Sequence, residues 1–345
     1  MSALRALTRK ALPMPSCVRL LVALAGAVVL AAGCSHASLP GAGGTTGDGQ
    51  GPTTLEEGSC WTDDLLGSDP QDILRLSSRF DVPYLAAARA VADRPAFTHR
   101  VDCGSDHAVE VYKVVRLPDL EPQLTDYASL LRMQTPLYGQ VARSVAAGCM
   151  TDALAKAAAA AGVADAVMRP QLPPGATLGW TPAAPDQWTG GQRVFACTLS
   201  WAEPDQVRYA ALFSKALPTG RRTCIESHAL VYVDCARRHD RERIAVIEAR
   251  DAVAAGSFPG PKAIRNGPTG RYLAVPDARW AKLDAACTAY LRSISTTKKL
   301  TGVANVDPDE WPAADDSYPI YCDADTRPDQ ESVITQGSVY DRSQP

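Results

Sequence analysis

The chain has 345 residues, of which 46% are hydrophobic, 21% charged and 6% aromatic. This length allows about one to three globular domains. Residues 1–33 hold four of the 35 basic residues and no acidic residue, so the rest of the chain has 31 basic against 38 acidic residues, a formal charge of −7. This charge argues against nucleic acid as a partner, because binding to phosphates needs a basic face.

Residues 1–33 have the features of a secretion signal. Four basic residues precede an uninterrupted run of 13 apolar or small residues at positions 20–32. A helix needs about 20 apolar residues to cross a bilayer, so the run fits a signal peptide better than a permanent span. It ends in Leu-Ala-Ala-Gly-Cys, which resembles a bacterial lipobox in which Cys34 is acylated and becomes the mature N-terminus. The alternative is cleavage elsewhere, which would leave Cys34 unmodified.

The segment that follows, residues 34–56, is rich in Gly, Ser and Thr and is predicted to be a flexible tether. Acylation of Cys34 would anchor the protein to the outer leaflet of the cytoplasmic membrane. The negative charge of the mature chain would not attract its body to anionic headgroups. The sequence therefore predicts an extracytoplasmic, lipid-anchored protein.

Eight of the ten cysteines remain once Cys17 leaves with the signal and Cys34 takes the lipid. An even number of cysteines in an exported chain predicts disulfides, here four. The chain has no Cys-x2-Cys pair of the kind that zinc modules use, so a metal role for these cysteines is disfavoured.

Several landmarks recur in the same order along the chain and indicate a tandem duplication. We predict a first repeat at 57–219 and a second at 220–345, with residues 61–98 as an inserted, mostly helical segment of the first. The landmarks are Val101-Asp102-Cys103 and Val233-Asp234-Cys235, His107 and His239, Glu110 and Glu242, Cys149 and Cys287, Trp188 and Trp311 behind Pro-Asp-x, and Cys197 and Cys322.

The second repeat suggests how the cysteines pair. Only ten residues, with a β-rich stretch among them, separate Cys224 from Cys235, so this pair is expected to join a short strand to its neighbour. The four predicted bridges, after transfer to the first repeat, are Cys224–Cys235, Cys287–Cys322, Cys60–Cys103 and Cys149–Cys197. Each repeat is expected to be a small antiparallel sheet with a packed helix that bears a cysteine, an α+β fold.

The order of these motifs resembles the septum formation domain of actinobacteria. The stretch 188–197 is similar to the Trp-x2-Gly-x-Arg-x3-Cys pattern of that family, with one extra residue, and Gly337-Ser338 matches a late Gly-Ser element. The first repeat has Phe213-Ser214 where a Gly-Ser would be expected. The resemblance covers residues 57–341. It implies a role in cell division or envelope growth and no defined catalytic mechanism.

Two groups of residues could carry chemistry. His107 with Glu110, echoed by His239 with Glu242, could form half a metal site or an acid–base pair. The favoured interpretation is structural, because each pair accompanies a cysteine. Trp188 and Trp311 could stack on wall glycans, although packing onto the core is the more common role of such a residue.

The sequence contains none of the common catalytic or phosphate-binding motifs. We therefore expect no catalytic residue, no metal and no cofactor, and a non-enzymatic lipoprotein that binds or scaffolds envelope or division proteins. One alternative is a sensor for a small envelope ligand or wall glycan, which a groove lined by Trp180, Trp188 and Trp201 would favour. The other is a metal-dependent hydrolase that uses the His–Glu pairs. The sequence leaves the oligomeric state open.

Overall fold

The structure is a computed structural model that describes residues 54–62, 64–226, 231–268, 270–295, 300–325 and 337–340. The predicted signal peptide, Cys34 and most of the predicted tether lie outside these residues. The described residues belong to one compact unit. The α+β prediction is confirmed, since helices pack on antiparallel sheets.

The helices of the described part of the chain are α1 Pro70–Arg79, α2 Tyr84–Val91, α3 Ala128–Leu131, α4 Pro136–Cys149, α5 Asp152–Ala160, α6 Pro185–Thr189, α7 Arg250–Ala254 and α8 Asp277–Ile294. The strands are β1 Ser59–Trp61, β2 Arg100–Val101, β3 His107–Val115, β4 Val167–Pro170, β5 Ala176–Pro182, β6 Phe195–Asp205, β7 Thr223–Glu226, β8 Val231–Val233, β9 Arg241–Glu248, β10 Ile264–Gly267, β11 Gly270–Leu273, β12 Thr301–Asn305 and β13 Pro319–Asp325.

The N-terminal sheet has the strand order β2-β1-β3-β6-β5. Helix α4 begins where Thr135 accepts a hydrogen bond from the Tyr138 amide and Pro136 occupies the first turn, both common signals for a helix start. Its buried side chains, Val141 and Val145, join one apolar cluster with the sheet and with α1 and α2. This half therefore has helices in the same core as its sheet.

The C-terminal sheet has the order β12-β13-β9-β7-β8, and β4 also pairs with β9. Helix α8 buries Leu283, Cys287 and Tyr290 against this sheet, as the helical spacing of its apolar residues requires. Strands β10 and β11 form a separate hairpin. The two large sheets thus have the same strand order, apart from β4.

Four disulfides connect the pairs that the sequence predicts. Their Cα–Cα distances lie between 5.2 and 5.5 Å, within the usual range for a disulfide. In each half, one bridge joins a strand to the turn that follows the neighbouring strand, and the other fastens a helix to a strand. The pairs are Cys60–Cys103, Cys149–Cys197, Cys224–Cys235 and Cys287–Cys322.

The register of the two sheets also corresponds. Cys60 lies opposite Glu110, as Cys224 lies opposite Glu242. In the N-terminal sheet, Cys197 of β6 lies between Lys113 of β3 and Trp180 of β5. In the C-terminal sheet, Cys322 of β13 lies between Ala245 of β9 and Ala304 of β12. Both sheets have a β-bulge two residues after the glutamate, at Tyr112 and Ile244.

Strand β4 and helix α5 lie within 57–219, the range predicted for the first repeat, but they pack with the C-terminal sheet. Strand β4 pairs with β9, and α5 shares an apolar cluster with α8. The segment 61–98 contains α1 and α2, while Trp61 itself belongs to β1. The chain therefore contributes β4 to the C-terminal sheet before it returns to the N-terminal sheet at β5.

Candidate functional site

The His–Glu pairs lie in equivalent buried positions. Nδ1 of His107 is 2.9 Å from the Ser105 carbonyl oxygen, and Nδ1 of His239 is 2.8 Å from that of Arg237. Since a carbonyl only accepts, each Nδ1–H donates. Both rings are about 1% exposed, and Nε2 of His107 has no hydrogen-bond partner within the described residues. Each imidazole therefore closes the loop that precedes its strand.

The two glutamates each accept hydrogen bonds from the segment that follows a strand of their sheet, β6 for Glu110 and β13 for Glu242. Glu110 accepts hydrogen bonds from the Tyr209 amide at 2.5 Å and from the Arg208 guanidinium at 3.2 Å. Glu242 accepts from the Val339 amide at 2.6 Å and from Ser338 Oγ at 2.7 Å. The Tyr209 amide therefore corresponds to the Val339 amide, which makes Val207-Arg208 the counterpart of Gly337-Ser338. The sequence-based match to Phe213-Ser214 lies six residues further along the chain than these contacts.

The geometry of the second pair does not favour a metal centre. Ligand atoms of Cys224, His239 and Glu242 lie within 4.8 Å of one another. However, the Cys224 sulfur is bonded to Cys235, and the Glu242 carboxylate already accepts two hydrogen bonds. A disulfide sulfur offers no thiolate to a metal, so these contacts support the structural interpretation.

The tryptophans of the Pro-Asp-x motifs are packed into the core. Trp188 is 1% and Trp311 is 2% exposed. Their indole Nε1–H groups donate to the carbonyls of Leu124 and Pro259, at 3.2 and 3.1 Å. A sugar cannot stack on an enclosed ring. Of the three tryptophans proposed to line a groove, Trp180 borders a large cleft, whereas Trp188 and Trp201 are buried.

That cleft lies between the two sheets, and no sequence motif indicated it. We call it the seam cleft; its volume is about 620 Å³. Helix α4 forms one wall with Gly139, Ala142 and Ala146, which share one helix face. Strand β5 forms the second wall from Ala176 to Trp180, and β4 contributes Val167 and Arg169.

The seam cleft carries unpaired cations. Arg143 is exposed and Arg169 half-buried, and neither forms a salt bridge or a side-chain hydrogen bond within the described residues. The Glu248 carboxylate at the opposite rim is engaged by the amides of Arg250 and Tyr318, at 2.9 and 2.8 Å. The exposed carboxylates of Asp165, Asp251 and Asp315 complete that rim, so the cleft has a cationic and an acidic side.

A smaller apolar cavity of about 110 Å³, which we call the inner cavity, adjoins the seam cleft. Both are lined by Leu178 and Trp180, and the cavity is closed by Tyr112, Met150 and Met168. The space is of the size that a small apolar group fills. The cleft and the cavity together offer a polar surface beside an apolar recess.

The equivalent position of the C-terminal half is closed. Thr288 Oγ1 lies 3.0 Å from both the amide nitrogen and the carbonyl oxygen of Gly302. Asp284 accepts a hydrogen bond from the Ala304 amide at 2.7 Å. A Cβ on Gly302 would lie 2.3 Å from the α8 backbone at Cys287, so only glycine allows this approach. Helix α8 therefore seals the edge of β12.

The chain matches no known family model, and no similar curated protein or solved structure was found. Within the described residues, no helix combines the length and apolar character that a membrane crossing demands.

Proposed function

We propose that this chain is a non-enzymatic binding module of the cell envelope, anchored by acylated Cys34. The four disulfides indicate an oxidising, extracytoplasmic environment. The lipobox-like sequence supports the anchor, and the resemblance to the septum formation domain supports partners among division or envelope-growth proteins. No catalytic residue, metal or cofactor enters this proposal.

We also infer that the two halves are tandem repeats. The common strand order, the matched cysteine registers and the equivalent His–Glu contacts support this inference. In such a pair, one copy can keep the structural contacts while the other acquires a binding surface.

The observation that carries the binding function is the difference between the two helix–strand contacts. Asp284 and Thr288 close the edge of β12. Ala146 and Met150 have the same sequence separations from Cys149, the cysteine at the end of α4, as Asp284 and Thr288 have from Cys287. Ala146 and Met150 leave the edge of β5 facing the seam cleft. An open concave surface with unpaired arginines is a reasonable binding site for a partner.

A second candidate is a sensor for a small envelope ligand or glycan. Trp180 is half-buried and borders both the seam cleft and the inner cavity, so part of its ring could contact such a ligand. The hydrolase alternative receives no support from the His–Glu pairs, whose contacts hold loops in place.

Photo-crosslinking in living cells tests the binding function. A photoreactive amino acid at Thr177, which is exposed in the seam cleft, is expected to capture a discrete protein partner. Thr301 is the matched control, because it is exposed and occupies the same register position on β12. Equal capture at both positions, or Thr177 capture that persists with Ala146→Asp, would contradict the proposal. In the same cells, Cys34→Ser should release the protein from the membrane fraction.

A further inference from the structure

We propose that the seam cleft binds an extended acidic peptide segment of a partner protein, which adds as a strand to the free edge of β5. This inference rests on the proposed binding function and specifies its mode. Three features support it: the direction of the β5 backbone groups, the closed counterpart on β12, and the charge and shape of the cleft.

The backbone of β5 directs hydrogen-bonding groups into the cleft. Among the described strands, β5 pairs only with β6. The Ala183 amide donates to the Val194 carbonyl at the end of this ladder. In antiparallel pairs, alternate residues exchange both bonds with the partner strand. The odd-numbered residues of β5 therefore face β6, and Leu178 and Trp180 direct their N–H and C=O groups away from it.

The C-terminal half shows how these groups are satisfied when no partner is needed. By register, Gly302 corresponds to Leu178 and Ala304 to Trp180. The outward amide and carbonyl of Gly302 and the outward amide of Ala304 are bonded by side chains of α8. For Leu178 and Trp180, no such side-chain bond occurs within the described residues. Open edges are normally covered or blocked in folded proteins, so the open edge of β5 favours strand addition.

The shape of the cleft suits a peptide backbone. The α4 wall carries only the small side chains of Gly139, Ala142 and Ala146 along this face, so a peptide backbone has room to approach β5. Residues Leu178 and Trp180 are about 7 Å apart along the strand, the repeat of alternate residues in an added strand. The inner cavity of about 110 Å³ lies beside both residues and can take one apolar side chain.

The cationic side of the cleft, opposite the rim formed by Asp165, Asp251 and Asp315, selects the chemistry of the peptide residue that lies against it. Arg143 and Arg169 have no ion-pair partner within the described residues, and Arg169 is half-buried beside the strand edge. A carboxylate on the peptide would form charge-assisted hydrogen bonds with such a guanidinium. The expected segment is therefore extended and contains an acidic residue and an apolar one.

Hydrogen–deuterium exchange on the processed protein tests the strand edge without any ligand. The amides of Leu178 and Trp180 should exchange at least about 100-fold faster than those of Gly302 and Ala304, because only the latter are bonded to side chains. Equal protection at the four amides would overturn strand addition and leave the binding function to be judged by crosslinking at Thr177.

Selection from a displayed library of random 12-residue peptides tests the ligand. Enriched peptides should contain an acidic and an apolar residue, and replacing the acidic residue by its amide should weaken binding. Leu178→Pro removes the outward amide of β5, which an edge strand tolerates, and also the Leu178 side chain beside the inner cavity. Leu178→Ala keeps the amide and controls for the lost side chain. Leu178→Pro should weaken binding at least about tenfold more than Leu178→Ala, and Ala146→Asp, which places a carboxylate at the edge, should weaken binding at least about tenfold. Ala147→Asp, on an exposed neighbouring position, should not.

The outcomes separate the two proposals. Peptide binding that survives Leu178→Pro but not Ala146→Asp would overturn strand addition and keep the binding function. A failure to enrich any peptide, together with no capture at Thr177, would overturn both. If the chain instead forms dimers that Leu178→Pro dissociates, a second copy occupies the edge and the partner-peptide assignment is wrong.

Discussion

The two sheets have corresponding strands, but the face that carries Val111 in the N-terminal sheet is covered differently from the face that carries Arg243 in the C-terminal sheet. Val111 follows Glu110 in β3 and is fully buried in an apolar cluster that includes residues of α1 and α2. Its counterpart, Arg243, follows Glu242 in β9. The Arg243 guanidinium lies 3.5 Å from the centroid of the Tyr321 ring and pairs with Asp323 at 3.3 Å.

This difference shows that the same strand register is compatible with a buried apolar face in one sheet and a polar face in the other. Apolar burial stabilises the N-terminal face by about 25 cal/mol per Å². On the C-terminal face, Asp323 is 1% exposed, and its desolvation offsets much of the attraction to Arg243. Tyr232 at the same face is 67% exposed. Helices α1 and α2 thus contribute apolar side chains to the cluster that buries Val111, whereas the corresponding Arg243 has polar and aromatic neighbours.

The largest difference in stability between the two halves is expected for the bridges Cys60–Cys103 and Cys224–Cys235. Cys60 and Cys103 are 43 residues apart, with α1 and α2 between them, whereas Cys224 and Cys235 are 11 apart. In the chain-entropy model, a longer loop gains more from its bridge. Replacing both cysteines by serine should lower the free energy of unfolding by about 4 kcal/mol in the first case and about 3 kcal/mol in the second. Denaturant titration under non-reducing conditions measures both, and a larger loss at Cys224–Cys235 would contradict the model.

The two glutamates should behave alike. Glu110→Ala and Glu242→Ala each leave buried amides without an acceptor, which should cost about 2–3 kcal/mol. Glu57→Ala, at an exposed position, is the control and should change stability by less than about 0.5 kcal/mol. A chelator should leave the melting temperature of the native protein unchanged. If the substitutions had no effect on stability while a chelator lowered the melting temperature, a metal role would replace the structural one.

Asp323 should give the smallest effect, a change in pH dependence. Burial raises the pKa of this carboxyl above 3.8, against the opposing effect of Arg243. Its contribution to stability is therefore complete below pH 3.8 and is lost as the pH rises through the raised pKa. Asp323→Asn removes this loss. Between pH 4 and pH 7, the stability of the variant should rise relative to that of the native protein, and a constant difference would show that Asp323 does not titrate in this range.

Much of the scaffold could be predicted from the sequence because its signals are local or repeated. The cysteine pairing followed from the ten residues between Cys224 and Cys235 and from the recurrence of the landmarks. The α4 helix start is encoded by Thr135-Pro136. The structural interpretation of the His–Glu pairs, drawn from their place beside a cysteine, stays a prediction that their buried contacts support, and the partners Arg208 and Tyr209 could not be predicted.

The seam cleft could not be predicted in the same way. Ala146 in α4 and Met150 directly after it are residue types that do not by themselves indicate a binding site. Their effect on the edge of β5 is visible only in the folded chain, by comparison with Asp284 and Thr288 at the edge of β12. The pairing of β4 with β9 likewise depends on contacts far apart in the sequence.

The cysteine pairs, the α+β class and the motifs that recur in the two halves can be read from the amino-acid sequence, since they depend on residue spacing. Which faces are covered and which strand edge is left open depends on side chains that meet across the two sheets, so these features appear only in the folded chain.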